Sequence, residues 1–127
     1  ATLMLPRGRA PAPVVVILHD ALGPDPRSAV YEDQLLGAGL AVLNVVALAE
    51  PEALAVLPAA LAAHPRLRAD RSGLLGFGEG GRIAAGARGG FAARALLYPG
   101  CAALPALAEP GPVLLLHGTA DPANPPA

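Results

Sequence analysis

A cluster of glycines stands where the sequence changes from a strand pattern to a helix pattern. The segment GLLGFGEGGRIAAG, residues 73–86, has an apolar run before the glycines and an amphipathic run after them. This order is typical of two functional sequence motifs, the nucleophile elbow G-x-Nuc-x-G and the dinucleotide fingerprint G-x-G-x-x-G. Gly78 occupies the nucleophile position of the first pattern and the second glycine of the other. A third interpretation is an ordinary tight turn.

The dinucleotide interpretation uses Gly76, Gly78 and Gly81 as its three glycines. It also requires an acidic residue about 20 positions later, which binds the ribose at the end of the next strand. That strand ends in LYPG, residues 97–100, which contains no acid, and several predicted strands precede the glycines. A dinucleotide-dependent oxidoreductase therefore ranks below the other hypotheses, and we expect no specific NAD or NADP binding.

The rest of the chain alternates short, nearly continuous apolar runs with longer amphipathic stretches. Such runs are typical of parallel strands that helices bury on both faces. The predicted strands are residues 2–5, 13–19, 41–46, 72–77, 94–98 and 113–117. Helices are predicted over 29–38, with Ser28 as the cap and Gly39 at the end, between 52 and 63, and over 79–88. The sequence therefore predicts an open, doubly wound, mostly parallel α/β sheet.

In such a sheet, ligands bind at the carboxyl ends of the strands. Those ends carry most of the distinctive polar residues and glycines of this chain, at residues 19–20, 77–78, 98–99 and 117–118. We therefore expect the glycine cluster and the segment HD, residues 19–20, to lie at the same edge of the sheet.

Four motifs together resemble the dienelactone hydrolase family of α/β-hydrolases. They are HDALG at 19–23, GFGEGG at 76–81, LLYPGC at 96–101 and LLLHGTADPANPP at 114–126. The resemblance implies one α/β-hydrolase-type domain over residues 1–127, with a sheet that is incomplete at its C-terminus. It also implies hydrolysis of small carboxylic esters or lactones through an acyl-enzyme, without a metal or an organic cofactor.

The same resemblance assigns roles around the glycine cluster. Gly78 stands at the nucleophile position, and the backbone N–H of Glu79 is one expected donor to the oxyanion. The N–H of Ala21 in HDALG is the expected second donor. Asp20 matches the acidic residue that faces the nucleophile in dienelactone hydrolases, and the alternative is that it only caps a loop.

Asp121 matches the acid of the catalytic triad, because it lies just past a predicted strand end in HGTAD. A carboxylate there orients the catalytic imidazole and stabilises its cation. The alternative is an aspartate that forms a turn before Pro122, which is a common use of this residue type.

Two features depart from the family pattern. Gly78 has no side chain, and no histidine follows Asp121. Covalent catalysis of the family type cannot start without the nucleophile. The single cysteine, Cys101, is the only thiol available, and we expect apolar surroundings to keep it protonated and unreactive. The sequence thus predicts a dienelactone hydrolase-like protein that is inactive as written, or alternatively a non-catalytic module that binds a small ester, lactone or carboxylate.

The three histidines have no ligand spacing, so no metal site is predicted. His19, His64 and His117 are each expected to be structural. A net charge of −1 without a block of like charge indicates neither nucleic acid nor a membrane surface as a partner. The longest apolar runs are far shorter than the roughly 20 residues that cross a bilayer.

One cysteine allows no intrachain disulfide, so a reducing cytoplasm is the default location. The last predicted strand, residues 113–117, has no helix after it to cover it. An apolar strand at an open sheet edge recruits other chains, so we expect self-association through this edge.

Overall fold

The computed structural model describes residues 1–46 and 50–123, which form one six-stranded sheet with helices on both faces. The strands are β1 (Thr2–Met4), β2 (Ala12–Leu18), β3 (Ala41–Val45), β4 (Leu67–Phe77), β5 (Ala93–Leu97) and β6 (Val113–Leu116). Their order across the sheet is β1-β3-β2-β4-β5-β6, with β1 antiparallel to β3 and the other neighbouring pairs parallel. The predicted doubly wound, mostly parallel sheet is confirmed. The end of the fourth motif, residues 124–126, lies outside the described residues.

Helices cover the two faces of the sheet unequally. They are α1 (Pro26–Gly37), a 3-10 helix (Pro51–Val56), α2 (Leu57–Ala62) and α3 (Glu79–Gly86). On one face Val14 and Val16 of β2 pack in a core with residues of α2 and α3. On the other face Ile17 packs with Leu35 and Leu36 of α1. These three β2 side chains are fully buried, and each burial stabilises the fold by about 1.5–3 kcal/mol.

Helix α1 begins earlier than the sequence predicts. The cap is Asp25 and not Ser28, because the Asp25 carboxylate accepts a hydrogen bond from the Arg27 backbone N–H at 2.7 Å. Ser28 instead lies buried in the first turn and donates its hydroxyl to the Asp25 carbonyl. Pro26 suits the first helical position, where its missing N–H costs nothing.

Three other elements differ from the prediction by more than one residue. Strand β4 begins at Leu67 and not at residue 72, and a register shift against β2 at Pro13/Val14 accommodates the extra residues. Helix α3 ends at Gly86, because Ala87 is extended. The helix predicted between 52 and 63 is divided into the 3-10 helix and α2. Among the described helices, none has the length and apolar character needed to cross a membrane.

A buried arginine ties β5 to the end of α3. The Arg94 side chain has no exposed surface, and its guanidinium donates to the carbonyls of Ala84 at 3.0 Å and Ala87 at 2.9 Å. It also pairs with Glu109 at 3.0 Å. A buried guanidinium is costly without such partners, so this network holds the chain around residue 109 against the fold.

We predict that Glu109→Gln lowers the free energy of unfolding by about 1 kcal/mol at pH 7. The backbone N–H groups of Gly89 and Gly90 and the Arg94 guanidinium hydrogen-bond the carboxylate and hold the pKa of Glu109 below its ordinary value of 4.5. A lowered folded-state pKa gives stability above pH 4.5 that is lost as the pH falls through the folded-state value. Denaturant unfolding of both proteins at pH 7 and pH 3 should show a smaller difference at pH 3 than at pH 7. The exposed Glu52→Gln should show none at either pH.

Strand β6 forms an open, apolar edge of the described sheet. Its four residues are between 37% and 54% exposed. A groove of about 510 Å³ runs over this part of the sheet, lined by apolar side chains of β2, β4, β5 and β6 and by Tyr31 and Leu35 of α1. An apolar strand and groove of this kind favour association with other chains.

We predict that the chain self-associates at micromolar concentration through this edge. The double change of Leu114 and Leu116 to Glu should shift the protein toward monomer, because charge on an edge strand opposes strand pairing. Size-exclusion chromatography with light scattering measures the effect, and circular dichroism verifies that the variant is folded. Val56→Glu, which alters an exposed residue outside the edge, is the control. A wild-type chain that stays monomeric would contradict the prediction.

Candidate functional site

The glycine cluster forms a sharp turn between β4 and α3. Gly78 adopts φ 53° and ψ −117°, and its N–H donates to the Leu97 carbonyl of β5 at 2.9 Å. Its own carbonyl accepts from the N–H groups of Gly81 and Arg82, which opens α3 directly behind the turn. A strand, a sharp turn and a helix in this order have the form of a nucleophile elbow.

Close backbone contacts explain the glycines on both sides of Gly78. A Cβ atom at Gly76 would lie 2.3 Å from the Gly80 carbonyl oxygen. A Cβ atom at Gly80 would lie 2.2 Å from the Leu18 carbonyl oxygen of β2. A Cβ atom at Gly81 would lie 3.1 Å from Pro99. Helix α3 can therefore pack against β2 and β4 only without these side chains, and Gly80, the second glycine of the G-x-Nuc-x-G pattern, has the shortest approach.

Asp20 lies beside the elbow. A Cβ atom at Gly78 would be 3.0 Å from the Asp20 Cβ, so the two positions face each other across the end of the sheet. The Asp20 carboxylate accepts from the Leu22 N–H at 2.9 Å and lies 3.5 Å from the Arg27 guanidinium. The structure thus combines the two interpretations of Asp20, since the residue both faces the nucleophile position and caps its loop.

The two expected oxyanion donors flank this point. Among the hydrogen bonds of the described residues, neither the Ala21 N–H nor the Glu79 N–H has a partner. Glu79 is the first residue of α3, and the N-terminus of a helix favours negative charge. Both groups are therefore free to donate to a ligand oxygen, and their role as an oxyanion hole stays a prediction.

An aromatic cluster forms one side of the site, and the sequence did not single it out. The Phe77 ring packs edge-on against Tyr31, with 5.5 Å between ring centroids, and is tilted against Tyr98 at 6.1 Å. The ring carbons of Tyr98 would lie 3.7 and 3.8 Å from a Cβ atom at Gly78. These rings and their neighbours line an open cavity of about 390 Å³, whose lining residues are Arg27, Val30, Tyr31, Gln34, Phe77 and Tyr98.

Arg27 supplies the positive charge at this cavity. Its guanidinium lies 5.3 Å from the centroid of the Tyr98 ring and forms ion pairs with Asp20 and Asp25. The hydrogen bond from Arg27 lowers the pKa of Asp25, so Asp25 stays ionised at neutral pH. The only sequence signal for Arg27 is its place at the start of α1, directly after the HDALG loop.

The structure places Asp121 in a turn after β6. Its backbone N–H approaches the Gly118 carbonyl at 3.4 Å, and its carboxylate accepts from the Ala123 N–H at 3.0 Å. These contacts fit the turn-forming interpretation, and its role as the triad acid stays a prediction. Cys101 lies in the bend after β5 and is exposed, so its surroundings are not the apolar ones that we expected, and the expected lack of reactivity stays a prediction.

Two of the three histidines have contacts that fit a structural role. His19 is buried and stacks on Phe77 with 9° between the ring planes, and its Nε2 lies 2.5 Å from the Asn44 side-chain oxygen. His64 Nδ1 accepts from the Arg66 N–H at 3.2 Å. Neither ring nitrogen of His117 has a partner within the described part of the chain. That part contains no group of three side chains able to hold a metal ion.

Comparisons with solved structures identify the fold. The protein named m3DLH is 26% identical, with a TM-score of 0.67, over 92% of this chain and 61% of its own. A Klebsiella pneumoniae subsp. pneumoniae MGH 78578 protein described as a dienelactone hydrolase is 19% identical, with a TM-score of 0.68, over 94% and 66%. A lipase/esterase from Lactobacillus plantarum is 18% identical, with a TM-score of 0.69, over 92% and 71%.

No protein-family model and no curated protein sequence matches the chain. The chain spans less than two thirds of the length of m3DLH. The names of the other two structures describe a hydrolase and a lipase/esterase. The chain therefore has the α/β-hydrolase fold, in a form like that of the dienelactone hydrolases.

Proposed function

We propose that this chain is a dienelactone hydrolase-like domain that binds a small carboxylic ester, lactone or carboxylate and does not hydrolyse it through an acyl-enzyme. The observation that carries the proposal is Gly78, which forms the elbow turn against Asp20 and Tyr98 but has no side chain. Acyl transfer through a covalent intermediate needs a hydroxyl or thiol at this point of the turn.

The remaining groups of the site support binding. The free N–H groups of Ala21 and Glu79 can donate to a ligand oxygen at the elbow. The cavity beside α1 has room for a small apolar group and is walled by aromatic rings. A ligand with a carbonyl group on a small apolar body matches both features.

Two assays on the 127-residue chain test the proposal. Hydrolysis of 4-nitrophenyl acetate should stay at the rate of buffer alone, because no nucleophile stands at residue 78. Calorimetric titration with methyl benzoate should give saturable binding, with a Kd on the order of a millimolar for so small a ligand. Steady ester turnover, or no saturable methyl benzoate binding, would contradict the proposal.

The glycine spacing keeps a dinucleotide site as the second candidate. Its weakness is that β5 ends at Leu97 and no acid follows within residues 98–100. We predict that a calorimetric titration with NAD gives no saturable signal. Micromolar NAD binding that is lost in Gly78→Val would overturn the hydrolase-like interpretation in favour of the fingerprint.

A further inference from the structure

Tyr98 is held in a strained backbone conformation beside the elbow. Its φ of 41° is the only positive value at a non-glycine residue in the described part of the chain. Such strain persists where the surroundings fix it, and it is common at ligand-binding sites. Here the Tyr98 N–H donates to the Leu116 carbonyl of β6 at 2.7 Å, and the fully buried Pro99 follows. The strained turn directs the ring toward Gly78.

Contacts on several sides fix the ring of Tyr98. Its Cε2 and Cδ2 atoms would lie 3.7 and 3.8 Å from a Cβ atom at Gly78, and its centroid lies 6.1 Å from that of Phe77. The Arg27 guanidinium lies over the ring face at 5.3 Å. The Arg27 side chain is 56% exposed, so it can move aside when a ligand enters the cavity.

The hydroxyl of Tyr98 has no hydrogen-bonding role within the described structure. It is shielded from solvent and has no hydrogen-bond partner among the described residues. A buried polar group without a partner costs free energy, which a ligand oxygen at this place would recover. Burial raises the pKa of Tyr98, so the hydroxyl stays protonated at neutral pH and can donate.

The charges around the hydroxyl select against an anionic ligand. The carboxylates of Asp20 and Asp25 both pair with the single guanidinium of Arg27. These three side chains together therefore carry one excess negative charge. A ligand carboxylate next to Asp20 would meet like charge at short range. A neutral carbonyl compound accepts the same hydrogen bonds without that repulsion.

We propose that Tyr98 is a ligand-binding residue whose hydroxyl donates to a neutral carbonyl compound, an ester or a lactone, held at the elbow. The inference rests on the proposed function and narrows its ligand class. The apolar part of the ligand occupies the cavity beside α1, between Tyr31 and Phe77. The hydroxyl adds a third donor to the backbone N–H groups of Ala21 and Glu79.

Calorimetric titration of the wild type, Tyr98→Phe and Ser72→Ala with methyl benzoate and with benzoate tests this inference. Tyr98→Phe should weaken methyl benzoate binding about tenfold, and Ser72→Ala, which removes another buried hydroxyl without a partner but lies outside the cavity, should change it less than twofold. Benzoate should bind the wild type at least about fivefold more weakly than the ester, and Asp20→Asn should reduce that gap. The melting temperature of Tyr98→Phe should not fall, since the change removes an unpartnered hydroxyl.

The outcomes separate the two proposals. Methyl benzoate binding that is equal in wild type and Tyr98→Phe would overturn the role of Tyr98 and leave the proposed function standing. Benzoate binding as tight as that of the ester would overturn the neutral ligand class. A wild type that does not bind methyl benzoate would overturn the proposed function and this inference with it. A fall in melting temperature for Tyr98→Phe would show that the hydroxyl is structural, which also overturns it.

Discussion

Gly80→Ala should destabilise the protein more than any other glycine-to-alanine change in its helices. The new Cβ atom would lie 2.2 Å from the Leu18 carbonyl oxygen and 2.5 Å from that of His19. Both are backbone atoms, so α3 itself must move away from β2. We expect a loss of about 3 kcal/mol or more, which lowers the melting temperature by about 10 °C in a chain of this size.

Gly37→Ala is the matched control, because Gly37 is also helical and a Cβ atom there meets nothing within 4 Å. This change should raise stability by up to about 1 kcal/mol, through the better helix propensity of alanine. Thermal unfolding of both variants measures the effect. If Gly80→Ala were as stable as Gly37→Ala, the result would contradict the close packing of α3 against β2. It would also contradict the shape of the elbow that depends on this packing.

Restoring a nucleophile should not by itself restore hydrolysis. Gly78→Ser places a hydroxyl near the Ala21 and Glu79 N–H groups, but the positive φ and the 3.0 Å approach to Asp20 should cost about 1–3 kcal/mol of stability. No histidine follows Asp121 in this chain, so the serine lacks a general base of the family type. Turnover of 4-nitrophenyl acetate should remain near background.

Adding a C-terminal segment that carries a histidine to Gly78→Ser should raise turnover by about 10³-fold or more, since triad members act as a unit. The same segment with alanine in place of that histidine is the control. Strong turnover by the unaltered Gly78 chain would mean that the chemistry lies elsewhere, at a residue such as Cys101. A folded, doubly repaired protein with no gain would contradict the elbow assignment.

Strand β2 illustrates what the sequence predicts well. It lies inside the sheet, so most of its residues on both faces are buried and they form a continuous apolar run. The first part of β4 was missed because its residues LRADR, 67–71, are charged and partly exposed. The start of α1 was misplaced because Asp25 and Ser28 are equally good caps, and only the Arg27 hydrogen bond selects between them.

The sequence likewise predicts some residues of the candidate site and not others. The rule that ligands bind at the carboxyl ends of parallel strands places Asp20 and Gly78 at one edge of the sheet, and the resemblance to the dienelactone hydrolases adds the expected role of Glu79. Neither identifies Tyr98 and Arg27 as site residues, because their contact joins side chains 71 positions apart and depends on a strained turn that no local pattern indicates. Gly80 is the last glycine of the G-x-Nuc-x-G pattern, but that pattern does not show that the Leu18 carbonyl of β2 excludes a side chain there.

The most direct test of a ligand site at the elbow is a residue-resolved titration with methyl benzoate. Amide resonances of the ¹⁵N-labelled chain would be followed by NMR as the ester is added. We predict saturable shifts at Ala21 and Glu79 that fit a single Kd, and no shift at Leu114 in the groove beside β6. Shifts confined to that groove, or none at Ala21 and Glu79, would contradict the elbow as the binding site.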